Sequence, residues 1–190
     1  DDYAMGLLAG RLSYLYSGKG MKCVVLASNQ NFCGTQERIQ GFEDFLDKHD
    51  PSAEILEVCD ISLDSENIGY QSIYETAEAQ MKVHPDMNVF YVTNGLTQWA
   101  AAAVKNHKKQ GQILVFGFEH TDMTCSFIHE GIIGATICQG PAQQWYNATM
   151  IMSSFLAGER KIADPIFNAE CKILIEETLP LVRLDGISNF

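Results

Sequence analysis

The chain has 190 residues, 46% of them hydrophobic and 19% charged, which suits one soluble globular domain with a full core and not a disordered segment. A net charge of -11 argues against a nucleic-acid surface within these residues, and no apolar run reaches the length of a membrane span. The opening Asp1-Asp2 does not read as a signal peptide.

A first helix is expected over residues 3–16, ahead of a β-branched run at 23–27. Phe42, Phe45 and Leu46 give one apolar face to a helix over 36–49, followed by a strand at 54–59. A helix over 69–83 leads to a strand at 89–94. An alanine-rich helix over 96–110 comes next, with Gly111 in the C-cap position. The basic run 105–109 falls at the end of that helix, where cations suit the negative end of the dipole. Strands at 113–118 and 134–139 complete the pattern. Strands alternating with helices imply right-handed crossovers and a doubly wound α/β parallel sheet, whose continuous apolar strands are covered on both faces. Beyond Gln139 a long helix begins at Pro141 and runs to about residue 158, and a last strand is expected over 173–179.

Six cysteines (Cys23, Cys33, Cys59, Cys125, Cys138, Cys171) form no CxxC pair, and several sit in apolar runs, where a free thiol behaves as a small hydrophobe. Disulfide frameworks belong to small, core-poor secreted domains. Reduced thiols and a cytosolic setting are therefore expected.

Ligands of open parallel sheets bind beyond the carboxyl ends of the strands. Here those ends carry Ser28-Asn29-Gln30-Asn31, Asp60, Asn94, Glu119 and Gln139 in turn. A single polar strand end is ordinary helix capping, but five in succession favour a site. Their chemistry suits hydroxyl groups. Glu119 can accept from two vicinal hydroxyls, Arg38 donates through a planar fork, and Asn94 and Gln139 both give and accept. Ser17-Gly18-Lys19-Gly20 lacks the leading glycine and closing hydroxyl of a phosphate loop. Neither a nucleophile elbow nor an HExxH motif occurs, so an enzyme is not expected, nor a cofactor. His120, Cys125 and His129 come nearest to a metal cluster, but their spacing matches no common zinc site and no metal is expected. Asn147-Ala148-Thr149 fits a glycosylation sequon but lies inside a predicted helix.

Five motifs, in order over nearly the whole chain, carry a family resemblance. Asp1-Asp2-Tyr3-Ala4-Met5-Gly6 is similar to the start of the second lobe of periplasmic sugar-binding proteins and lactose-repressor-type (LacI) regulators. Arg38-Ile39-Gln40-Gly41-Phe42 resembles their R-x-x-G-F, Val92-Thr93-Asn94 a strand ending in Asn, and Val115 to Glu119 their V-x-G-[FY]-D. The run Gly131 to Gln139 resembles the approach to a hinge-proximal Gln. The resemblance implies a type I periplasmic-binding-protein fold in which Asp1, Arg38, Asn94, Glu119 and Gln139 form this lobe's ligand shell. Residues 1–139 would then form the C-terminal lobe, 140–170 a crossover with a helix belonging to the other lobe, and 171–190 a return strand and tail. The other lobe's opening elements would precede Asp1. An aromatic stacking on the sugar ring is implied near Ile68 and Tyr70. The chain departs from the family twice, with Gly95 where Asp is usual and Glu119 in place of Asp. The implied function is effector binding by a cytosolic regulator, homodimeric when intact and touching DNA only through an N-terminal helix-turn-helix. The alternative is a solute-binding protein of an ABC sugar transporter.

Overall fold

The computed structural model describes residues 1–61, 69–161 and 166–181. Its elements run α1 (Asp2–Ser17), β1 (Lys22–Ser28), α2 (Cys33–His49), β2 (Glu54–Ile61), α3 (Gly69–Val83), β3 (Val89–Val92), α4 (Thr97–Asn106), β4 (Leu114–Phe118), α5 (Asp122–His129), β5 (Ile133–Cys138), α6 (Pro141–Leu156) and β6 (Lys172–Leu174). The sheet order is β2-β1-β3-β4-β5-β6. The first five strands are parallel and β6 is antiparallel to β5. The doubly wound α/β arrangement is therefore as expected, and the chain reverses its direction of winding at β1, between β2 and β3.

Period-two alternation divides the core into two layers. Cys23, Val25, Ala27, Val89 and Tyr91 point toward α1 and α2, where they meet Ala9, Leu12, Phe42, Phe45 and Leu46. Val24, Leu26, Phe90 and Val92 point the other way, toward Ile73, Ala77 and Met81 of α3, the alanines of α4, and Phe127 and Ile128 of α5. Burial of each large apolar side chain is worth roughly 1.5–3 kcal/mol, and both faces contribute, so the inner strands β1, β3, β4 and β5 tolerate almost no polar residue until their ends, whereas the edge strand β2 exposes Glu54, Glu57 and Asp60.

Helices α1 and α2 meet backbone to backbone. A Cβ added at Gly6 would lie 2.2 Å from the Arg38 carbonyl oxygen, and one at Gly41 would lie 2.2 Å from that of Tyr3. This approach holds the start of α1, with its two acidic residues, against the face of α2 that carries Arg38.

Three elements differ from the sequence expectation. Helix α4 stops at Asn106, and left-handed residues at Lys108 and Gly111 turn the chain back into β4. Gly111 thus serves the turn and not the helix cap. Helix α5 was not foreseen, because eight residues are too few to display a helical period, although Thr121 caps it by accepting from the Thr124 amide. The last strand ends at Leu174 and gives way to a 3-10 turn, Glu176–Leu181, in which the Thr178 hydroxyl accepts from the Ile175 amide and Pro180 can supply no strand donor. None of the described helices is long and apolar enough to cross a membrane.

Candidate functional site

The carboxyl ends of β1, β3, β4 and β5 open on one edge of the sheet, and a connected set of polar side chains crosses it. Arg38 is the centre. Its Nε donates to Asp2 Oδ1 at 2.7 Å, Nη1 to the Thr93 carbonyl at 2.8 Å and Nη2 to Gln139 Oε1 at 3.2 Å. Nη2 also lies 2.6 Å from Asp2 Oδ1, and the guanidinium stacks on the Phe118 ring with its carbon 4.1 Å from the centroid. Three different strand ends and the first helix are thus tied to one side chain. A lysine, with a single point charge and no plane, could not make these contacts together.

Gln139 passes the chain of bonds onward. Its amide N–H and its side-chain Nε2 both donate to Glu119 Oε1 at 3.3 Å. Burial pushes the Glu119 carboxyl above the usual carboxylate range, although the two Gln139 hydrogen bonds and the positive charges of His120 and Arg38 act the other way. Glu119 adopts a left-handed backbone, φ 59°, uncommon for a residue with a side chain. Its amide still donates to the Ile137 carbonyl at 3.0 Å, so the turn occurs with the ladder intact.

At the reversal of winding, Asn94 Nδ2 donates to the Ser28 hydroxyl, joining the ends of β1 and β3. Asn94 Oδ1 accepts from the Leu96 amide at 3.0 Å. Beneath it the buried Thr97 hydroxyl accepts from the Phe118 amide at 3.0 Å and faces the Phe118 carbonyl at 3.1 Å. Gly117 makes this possible, since a Cβ there would lie 2.2 Å from Thr97 Oγ1.

Of the five residues proposed from sequence, the structure gathers Arg38, Asn94, Glu119 and Gln139 on this edge. Asp1 stands apart. It is exposed and caps α1, its Oδ1 accepting from the Ala4 amide at 2.9 Å. The acid that reaches Arg38 is Asp2, which sequence reasoning missed. A carboxylate at an N-cap bends back to its own helix, so the next acid is the one free to reach across. Asp60 accepts from the Gln30 amide at 3.0 Å and serves the β1–α2 loop. Ile68 and the Tyr70 side chain, the candidate stacking positions, lie outside the described residues.

The two departures from the family pattern turn out to be neighbours. A Cβ on Gly95 would sit 3.3 Å from Glu119 Cγ and 3.4 Å from its Cβ. The longer acid thus occupies space that the missing side chain leaves. His129 bonds Glu176 at 2.8 Å and takes no part in a cluster with His120. All six cysteines are free. In the sequon, Thr149 donates to the Trp145 carbonyl within α6 at 2.8 Å.

A parallel sheet with a polar network at its carboxyl edge, beside the point where the winding reverses, is the arrangement in which open α/β sheets take up ligands. The periplasmic binding protein domain model matches residues 1–160, and the chain belongs to that family. Among solved structures, the glucose-galactose binding protein GanP of Geobacillus stearothermophilus superposes with a TM-score of 0.80 at 28% identity, covering 95% of this chain and 62% of its own. A periplasmic solute binding protein of an Actinobacillus succinogenes ABC transporter, with bound D-allose, gives 0.84 at 15% identity over 96% of this chain and 62% of its own. A carbohydrate transporter solute binding protein from Agrobacterium radiobacter, in complex with D-arabinose, gives 0.83 at 15% identity over 94% and 60%. The chain therefore spans less than two thirds of the length of these proteins. No curated protein sequence matches it significantly.

Proposed function

We propose that this chain is one lobe of a protein that binds a monosaccharide or a related polyol, with Arg38, Asn94, Glu119 and Gln139 forming its half of the ligand shell. The carrying observation is the bonded path Asp2–Arg38–Gln139–Glu119 across the sheet edge. It holds a carboxylate and two amides in fixed positions, as recognition of neutral hydroxyls requires. The sugars in the similar solved structures support the same ligand class. The other half of the shell belongs to a second lobe. Helix α6 points to it, with no buried residue and with Trp145, Tyr146, Met150, Met152, Phe155 and Leu156 all exposed. Such a surface fits packing on that lobe's sheet.

The test is calorimetric titration of the intact protein with a panel of monosaccharides. Glu119→Ala should cost about 2–4 kcal/mol of binding, because partners buried with it are left unpaired. Unchanged affinity would remove Glu119 from the site. Two biological settings share this lobe. The six free thiols favour a cytosolic regulator that dimerises and reaches DNA through a separate helix-turn-helix. The similar solved proteins that serve transporters favour a transport-associated binding protein. Cell fractionation of the intact protein separates the two.

A further inference from the structure

Beside the polar network, the ends of β4 and β5 bring together donors that no sequence spacing joins. Glu119 and His120 follow β4, and Cys138 closes β5. One carboxylate oxygen, one imidazole nitrogen and the thiol sulfur all lie within 4.8 Å of one another. Cys138 Sγ and His120 Nδ1 are 3.3 Å apart. Donors roughly 2.0–2.3 Å from a tetrahedral zinc ion stand about 3.3–3.8 Å from each other. The sulfur–nitrogen pair already lies at the short end of that spacing, and the carboxylate has to move by only about 1 Å, which rotation of a Glu side chain supplies.

In the β5–β6 ladder Cys138 stands opposite Lys172, the residue after the exposed Cys171, which lies outside the three-donor group. The Arg38 guanidinium is taken up by Asp2, Thr93 and Gln139. Burial, and next the neighbouring Glu119, push the Cys138 thiol up to about 12, and burial raises Glu119 itself. A cation would have to displace the Cys138 proton, since only the thiolate ligates.

The geometry points to a metal site of Glu119, His120 and Cys138, its fourth position open to water, for a thiophilic divalent cation of the zinc type. Mixed sulfur, nitrogen and oxygen donors suit zinc, whereas magnesium and calcium demand oxygen alone. The site stands whether or not a sugar binds. Because Glu119 belongs to both sets of residues, a bound cation would draw its carboxylate away from Gln139.

The experiment is titration of the reduced protein with Co2+, followed by displacement with Zn2+. One equivalent of Co2+ should give a thiolate-to-cobalt charge-transfer band with intense tetrahedral d–d absorption, and Zn2+ should abolish both. Cys138→Ser and His120→Ala should each weaken binding by more than the roughly 10–100-fold that changes outside the coordination sphere cost. Cys33→Ser, on α2, should change nothing. His120 is only half-buried, so its variant keeps the test decisive if the buried Cys138 variant fails to fold. Absence of the charge-transfer band, or equal binding by the folded His120→Ala protein, overturns the proposal.

Discussion

Replacing Gly41 by alanine tests how the site is held. In an isolated helix the change is favourable by about 1 kcal/mol, since alanine is the better helix former. Here the new methyl carbon would lie 2.2 Å from the Tyr3 carbonyl oxygen, 2.9 Å from the Leu7 nitrogen and 3.1 Å from the Tyr3 carbonyl carbon. All three are backbone atoms of α1, so no side chain can swing aside. Non-bonded heavy atoms rest about 3.5–4.0 Å apart, and relief requires α1 and α2 to part by about 1 Å. Overpacking of this kind costs about 1–3 kcal/mol, and parting the helices also strains the 2.6 Å contact between Arg38 and Asp2. A clash of 2.2 Å with rigid backbone takes the upper end of that range, about 3 kcal/mol, and the propensity gain of about 1 kcal/mol leaves a net loss of about 2 kcal/mol. Urea denaturation followed by circular dichroism measures it as a lower midpoint at unchanged slope. A Gly41→Ala protein as stable as the parent would show that the α1–α2 approach is not what positions Arg38.

Other consequences follow from single contacts. Thr97→Val removes a buried hydroxyl from the Phe118 amide; it should cost about 1–3 kcal/mol in urea denaturation and speed hydrogen exchange at Phe118, and unchanged exchange would refute the role. Gly95→Asp should destabilise the chain by crowding Glu119, and adding Glu119→Asp should recover part of that loss; a double-mutant cycle with no coupling would show that the two positions are independent. Burial raises the Asp50 carboxyl, but hydrogen bonds from the Ser52 hydroxyl and the Gly20 and Ser52 amides, with the charge of Lys19, outweigh it and hold it below the usual range. A carboxyl lowered on folding stabilises above its unfolded value and loses that contribution as pH falls through the folded one. The stability difference between the parent and Asp50→Asn should therefore be full near neutrality and shrink below pH about 4, and a constant difference would contradict it.

Much of this was legible in the chain itself. Apolar strands buried on both faces and helices with one apolar face allow few arrangements, because crossovers are right-handed and the sheet must be covered. The strand ends were legible for the same reason: polar Asn94, Glu119 and Gln139 each stop an apolar run where burial stops. The motif glycines were visible as letters, but their purpose was not. Gly41 and Gly117 are needed only because Tyr3 and Thr97, distant in sequence, arrive within 2.2 Å of where a side chain would stand. The same holds for Asp2, whose partner is 36 residues away, and for the pairing of Gly95 with Glu119. Local periodicity records which face of an element meets the core. Which particular atoms meet across two elements depends on how the helices settle on the twisted sheet, and only the folded chain decides that.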